Sequence, residues 1–218
     1  MPFAIEPQAF VSVVRPLLES NDTHGLIQTL RLRWNCGQIA RLLAHSDSDA
    51  KKVALVCLGM VGDRSCIETV APQLADADPT INQMAEHALW SIWFRIGSPA
   101  ANDQLCKGAR LLNYRRLGAA VECFDNAIAA DPNFAEAYNQ RSIARFLRDE
   151  YEASIGDCRK AVRLMPCHFG AWAGMGHSFL HLCQLDHALR AYERALQINP
   201  HMTCVSQTAA EIRSRLGM

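Results

Sequence analysis

Three prolines, Pro132, Pro166 and Pro200, stand 34 residues apart, and a fixed set of small and large residues travels with them. Ala127, Ala161 and Ala195 each precede a proline by five positions. Further upstream the matching slots hold Phe124, Cys158 and Tyr192, then Ala120, Ser154 and Ala188, then Leu117, Tyr151 and Leu185. A constant period of this length means stacked helix–turn–helix units, because one such pair cannot bury its apolar face alone. The spacing therefore predicts an all-α repeat array in the second half of the chain.

Composition agrees. Half of the 218 residues are hydrophobic and only 7% aromatic, and Val, Ile and Thr are not gathered into alternating runs, so helices are favoured over sheets. Lys plus Arg equals Asp plus Glu at 22 each. That balance speaks against broad phosphate-backbone binding, and Arg31, Arg33, Arg41, Lys51 and Lys52 read as ordinary solvated charges. No nucleic acid is expected as a partner. The nine cysteines are scattered singly, without a Cys-x-x-Cys pair, and read as small apolar thiols of a reducing compartment. The opening MPFAIEPQAF lacks a basic start followed by a long apolar run, and no stretch is long and apolar enough to span a bilayer. The expectation is a cytoplasmic protein without a membrane partner.

Each 34-residue unit reads as two helices. In the third, the first helix is predicted from about Phe169 to Cys183 and the second from Asp186, as N-cap, to Ile198, where Asn199-Pro200 forces the stop. Small residues recur where helices approach closely: Gly108, Ser142 and Gly176 on the first helices, alanines on the second. On these slots the C-terminal half resembles a tetratricopeptide repeat (TPR) domain, with repeats 101–134, 135–168 and 169–202. Two departures stand out: Gln104 replaces the aromatic that Tyr138 and Trp172 keep, and Cys158 replaces another aromatic. The stretch 203–218, with Val205, Ala209, Ile212 and Leu216 at helical spacing, reads as a capping helix.

The first 97 residues follow a different punctuation. LLAHSDSDAKKVALVCLGMVGD and QLADADPTINQMAEHALWSIWFRIG align with an offset of 31, which sets Asp47 on Asp78, Val53 on Met84, Ala54 on Ala85 and Leu58 on Leu89. Between them SCIETVAPQLAD predicts a helix with Ile67, Val70 and Leu74 on one face. GLIQTLRLRW and QIARLLAH suggest an earlier pair, and Phe10, Val13, Val14, Leu17 and Leu18 a leading helix that Pro16 kinks. This segment resembles short HEAT repeats, such as those of bilin lyases. The expected whole is an α-solenoid, HEAT-like over 1–97 and TPR over 101–218, joined at Gly97-Ser98-Pro99.

No catalytic spacing emerges: there is no His-Glu-x-x-His, no Gly-x-Ser-x-Gly and no phosphate loop. Gly174-Met175-Gly176 opens a dinucleotide fingerprint but lies inside a helix, where close packing explains it. His177 and His181 share a helix face, yet no further metal ligand stands at matching spacing. No cofactor, no metal and no enzymatic activity are expected.

The TPR resemblance implies a concave groove. It would present Leu105, Ala109 and Asn113 from the first repeat, and Asn139, Gln140, Ile143, Phe146 and Leu147 from the second. Ala173, Gly174, His177, Leu180 and His181 would come from the third. Phe146 and Leu180 could equally be partly buried between helices. The resemblance implies a protein-binding adaptor that holds a peptide or helix in that groove, with affinity sensitive to pH through the histidines. Where related domains place a cationic clamp for acidic chaperone tails, this chain has Leu105, Ala109, Gln140, Gly170 and Gly174, so such tails are expected not to bind. The other reading, by likeness to bilin lyases, is an accessory or catalytic subunit of an enzyme complex. Pairing with a second copy through the exposed end of the first half stays open.

Overall fold

The computed structural model describes residues 5–218; the opening MPFA of the N-terminal reading lies outside them. Among the described residues every regular element is a helix, and the chain divides into two compact units, the boundary falling between Arg95 and Ile96. No helix among the described residues is long and apolar enough to cross a membrane.

The first unit runs through Pro7–Glu19 (α1), Thr23–Arg33 (α2), Cys36–Arg41 (α3), Ser48–Val61 (α4), Ile67–Val70 (α5) and Pro79–Trp93 (α6). The two copies found at an offset of 31 become α4 and α6, and both begin on an aspartate cap. Asp47 accepts from the backbone N–H of Asp49 and Ala50, and Asp78 from that of Thr80. Ala50, Ala54, Leu58 and Ile81, Ala85, Leu89 are buried as corresponding faces. α1 continues through Pro16 to Glu19 and buries Phe10 and Val14, with Phe10 edge-on to Trp34 at 4.9 Å. The single helix predicted for SCIETVAPQLAD is instead broken. Only Ile67–Val70 is α-helical, between two 3₁₀ turns, because Pro72 lacks the N–H that would continue the ladder. Its apolar face survives, with Ile67, Val70 and Leu74 all buried. Lys51 pairs with Asp76 and Lys52 with Asp78, so two of the five basic residues singled out above are neutralised locally.

The second unit alternates first and second helices of each repeat: Pro99–Asn113 (α7), Leu117–Ala130 (α8), Ala135–Phe146 (α9), Tyr151–Leu164 (α10), Phe169–His181 (α11) and Leu185–Ile198 (α12). Thr203–Leu216 (α13) closes it against α12. Every second helix stops on an extended residue (Asp131, Met165, Asn199) directly before its proline. The aromatics of the opening slot stitch these stops: Tyr138 Oη donates to Pro132 O at 3.2 Å and Trp172 Nε1 to Pro166 O at 3.1 Å. α13 buries Val205, Ala209 and Ile212 against the last repeat, as a capping helix must. Asp186 is not the N-cap of α12. That helix begins at Leu185, and Asp186 lies in its first turn, where its charge still favours the positive end of the dipole.

Pairs of slots exchange volume. A Cβ on Gly108 would lie 2.5 Å from the Phe124 ring, and one on Gly176 2.5 Å from the Tyr192 ring. In the middle repeat the aromatic is replaced by Cys158, and the glycine slot takes Ser142 instead. The position grows on one side as it shrinks on the other. Ser142 Oγ donates to Asn139 O at 2.7 Å, which satisfies the hydroxyl this exchange buries, and Ser154 Oγ donates to Ser142 O at 2.9 Å. Burial pushes the Cys57 thiol up to about 12 and the Cys158 thiol to about 11, consistent with inert core residues.

The turn inside each repeat has a left-handed residue at the same slot: Arg115 (φ 59°), Asp149 (φ 61°) and Cys183 (φ 57°). The following N–H closes back onto the helix, as from Gln184 N to Phe179 O at 2.9 Å. Glycine meets this geometry without a Cβ penalty, which for other residues is about 1–2 kcal/mol. Cys183→Gly is therefore expected to stabilise the chain by about 0.5–1 kcal/mol after the added chain entropy of glycine is counted. Thermal unfolding would show a rise of a few degrees; a fall would mean that the Cys183 side chain contributes packing.

Candidate functional site

Successive first helices touch one another, α7 with α9 and α9 with α11, while contacts between successive second helices are weaker. The first helices thus form the inner layer of the array, and the candidate groove residues lie on them.

Burial divides those residues. Ala109, Ile143, Phe146, Gly174, His177 and Leu180 are partly open, Leu147 is 37% exposed, and Asn113 and His181 are exposed. Leu105, Asn139, Gln140 and Ala173 are buried, at 0%, 2%, 8% and 5%. These four are packing residues in the structure and present no surface to a ligand.

The burial of Asn139 and Gln140 has an electrostatic cause in Glu136. This carboxylate sits fully buried one turn upstream on α9. Gln140 Nε2 donates to Glu136 Oε1 at 2.7 Å, and Asn139 Nδ2 lies 3.3 and 3.4 Å from the two carboxylate oxygens. His168 occupies the slot that holds buried Phe134 one repeat earlier. Its Nδ1 accepts from Ala171 N at 3.1 Å, so its Nε2 is the donor in the 2.7 Å bond to Glu136 Oε2. The polar residues of this stretch are thus consumed internally.

The open part of the face is aromatic and apolar. Phe146 stands edge-on to His181 at 4.9 Å, and His181 stacks on Tyr151 at 4.7 Å. His177 packs against Tyr192, with its Nδ1 2.7 Å from the phenol oxygen, and Phe146 lies 6.4 Å away. Ile143 and Leu147 continue the strip along α9. The two imidazoles are thus engaged by rings and a phenol. Their arrangement can hold an apolar side chain and offer it a polar edge.

Burial first, and then the neighbouring His181, lowers the His177 pKa from its ordinary 6.5. A base whose folded pKa is depressed binds fewer protons folded than unfolded. Stability is then full above about pH 6.5 and is lost as pH falls towards the lower folded value. Thermal melts between pH 7.5 and 5 should show this loss in the wild type and less of it in His177→Gln. Equal slopes would remove His177 as the cause.

A second constellation was missed in the sequence. Cys36, Asp63 and Cys66 offer donor atoms that all lie within 4.8 Å of one another in the first unit. The sequence shows Asp-x-x-Cys at 63–66, but nothing local marks Cys36, which the fold brings in from α3.

Residues 170–202 match the family model of the tetratricopeptide repeat. Among curated relatives, a TPR repeat-containing protein of Rhizobium etli is 32% identical over 108 residues, covering 50% of this chain and 53% of that protein. Anaphase-promoting complex subunit 3 of Schizosaccharomyces pombe is 35% identical over 113 residues, which is 50% of this chain and 17% of that protein. The chain therefore spans about half, or far less, of these relatives. Among solved structures, the first TPR of Spaghetti (RPAP3) bound to the HSP90 peptide SRMEEVD superposes with a TM-score of 0.54 at 24% identity, over 56% of this chain and 96% of that one. At that identity the likeness is one of fold.

Proposed function

With the C-terminal unit being a tetratricopeptide-repeat array, we propose that this chain is a non-catalytic adaptor that holds a peptide or helix of a protein partner against the inner face of that array. The observation that carries this reading is the open strip of Ile143, Phe146, Leu147, Leu180 and the His177–His181 pair on the first helices. A partner's apolar side chain seated there gains about 25 cal/mol per Å² of buried surface, with the imidazoles left to take polar groups at the edge. The adjoining HEAT-like reading of the first unit belongs to the same proposal, as a second scaffold segment.

The test is photo-crosslinking in the native cell. A photoreactive residue at position 147, on the strip, should give discrete adducts. The same residue at Gly118 on α8, where a side chain would meet open space, should not. Adducts confined to position 118 would move the site off the inner face.

A second reading has a specific observation behind it. A solved array of this fold holds an HSP90 peptide, which weighs only weakly against the expectation that acidic chaperone tails are excluded. A fluorescence titration with SRMEEVD decides the matter. Saturable binding that weakens with salt gives the tail reading, and no saturation leaves the apolar strip as the ligand surface.

A further inference from the structure

We propose that Cys36, Asp63 and Cys66 form a three-ligand site for one zinc ion, with a water completing a tetrahedron. The inference is independent of the groove. Two separate parts of the first unit converge there: the start of α3, and the 3₁₀ turn Arg64–Cys66 with its cap Asp63. Their donor atoms are mutually within 4.8 Å. Zinc–sulfur bonds of about 2.3 Å set tetrahedral sulfur–sulfur separations near ~3.8 Å, so each donor has to move by less than about 1 Å.

The surroundings hold the donors in place. Asp63 caps its turn, accepting from Ser65 N at 2.9 Å and Ser65 Oγ at 2.6 Å through Oδ1, which lies 4.0 Å from Cys66 Sγ. The Cys36 thiol points to Val61 O at 3.2 Å. Arg95 clamps the intervening segment by donating to Gly59 O and Gly62 O, both at 2.9 Å.

The chemistry of the donor set selects the ion. Two thiolates and one carboxylate suit a borderline-soft divalent metal in place of magnesium or calcium, which prefer oxygen alone. The ligands would carry three negative charges. Zinc leaves a net charge of minus one, and the Arg95 guanidinium lies within electrostatic reach of both Cys36 and Asp63. Cys66 is fully buried, Cys36 half-buried and Asp63 exposed, which gives the ion an entry path from the Asp63 side.

The experiment uses the full chain in a non-chelating phosphine reductant. Zinc alone is titrated in competition with a chromophoric chelator, and cobalt(II) is titrated in parallel. The expected result is one ion per chain, with cobalt showing thiolate charge-transfer absorption. Cys36→Ala should weaken binding by more than about 100-fold, since even losses in the outer shell cost about 10–100-fold. Asp63→Asn, at an exposed position, should weaken it by at least about 10-fold. Circular dichroism checks both variants, and Asp63→Asn decides if Cys36→Ala does not fold. No bound zinc in the wild type overturns the proposal. So does affinity unchanged in folded Cys36→Ala and Asp63→Asn, or a Cys36–Cys66 disulfide that persists under the reductant.

Discussion

Asp157→Ala should destabilise the second unit by about 3–5 kcal/mol, the cost of breaking a buried ion pair from one side. Asp157 is 4% exposed on α10. Arg141 reaches it with two bonds, Nε to Oδ2 at 2.9 Å and a terminal nitrogen to Oδ1 at 2.6 Å, while Arg145 adds a third at 2.9 Å. Arg141 also bonds Asp125 of the preceding helix at 2.6 Å. These carboxylates offset the desolvation of Arg141 and raise its pKa. Removing Asp157 takes the carboxylate from Arg145 and leaves Arg141 with Asp125 alone, both guanidinium groups being half-buried. The neighbouring repeat shows how the same slots are filled without charge: Met175, Phe179 and Ala191 stand 34 residues after Arg141, Arg145 and Asp157. Transplanting them as Arg141→Met, Arg145→Phe and Asp157→Ala together should return stability to within about 1 kcal/mol of the wild type, because well-packed apolar replacements of a buried ionic cluster are often neutral or better. Urea unfolding of the single and triple variants checks this. A triple variant as unstable as Asp157→Ala would mean that the ionic cluster itself sets the fold of the middle repeat.

Glu136→Ala is the other large effect, expected at several kcal/mol, because each buried donor left without its acceptor costs about 1–3 kcal/mol. The carboxylate is the acceptor on which Gln140, Asn139 and His168 converge with no solvent to replace it. His168→Phe alone installs the residue of the corresponding slot in the first repeat but removes one donor from a buried charge, so it too should destabilise. The double variant should lose less than the sum of the two, a coupling of about 1–3 kcal/mol in a double-mutant cycle. Strict additivity would dissolve the claim that the two residues act as a unit.

The slots that carry these polar clusters explain what the sequence could and could not reveal. The 34-residue spacing was legible because prolines, alanines and glycines have local backbone or steric reasons to recur. Their helix stops, close approaches and capping helix all lie where those reasons put them. Nothing in the sequence singles out Arg141, Arg145, Asp157 and Glu136 as buried charges, since a sequence shows neither the partner across the helix pair nor its distance. The same blindness placed Asn139 and Gln140 on the ligand face, when Glu136 beside them draws both amides inward. Cys36 and Cys66 are thirty positions apart, and only the packing of α3 beside the turn at Asp63 brings them together. His177 and His181 did share a face as their spacing required, but Tyr192 and Tyr151, which engage them, come from other helices.

The measurement closest to the central claim is a comparative capture from native lysate, read by mass spectrometry. The baits are the wild-type chain and Ile143→Glu with His181→Glu, after circular dichroism and thermal melts show that the variant is folded. Both changes place a charge on the open strip without touching the Glu136 or Asp157 clusters. The account predicts a defined set of proteins held by the wild type and lost from the variant, because a charge facing an apolar ligand side chain removes the burial that binds it. If both baits hold the same set, the inner face of the repeat array is not the working surface.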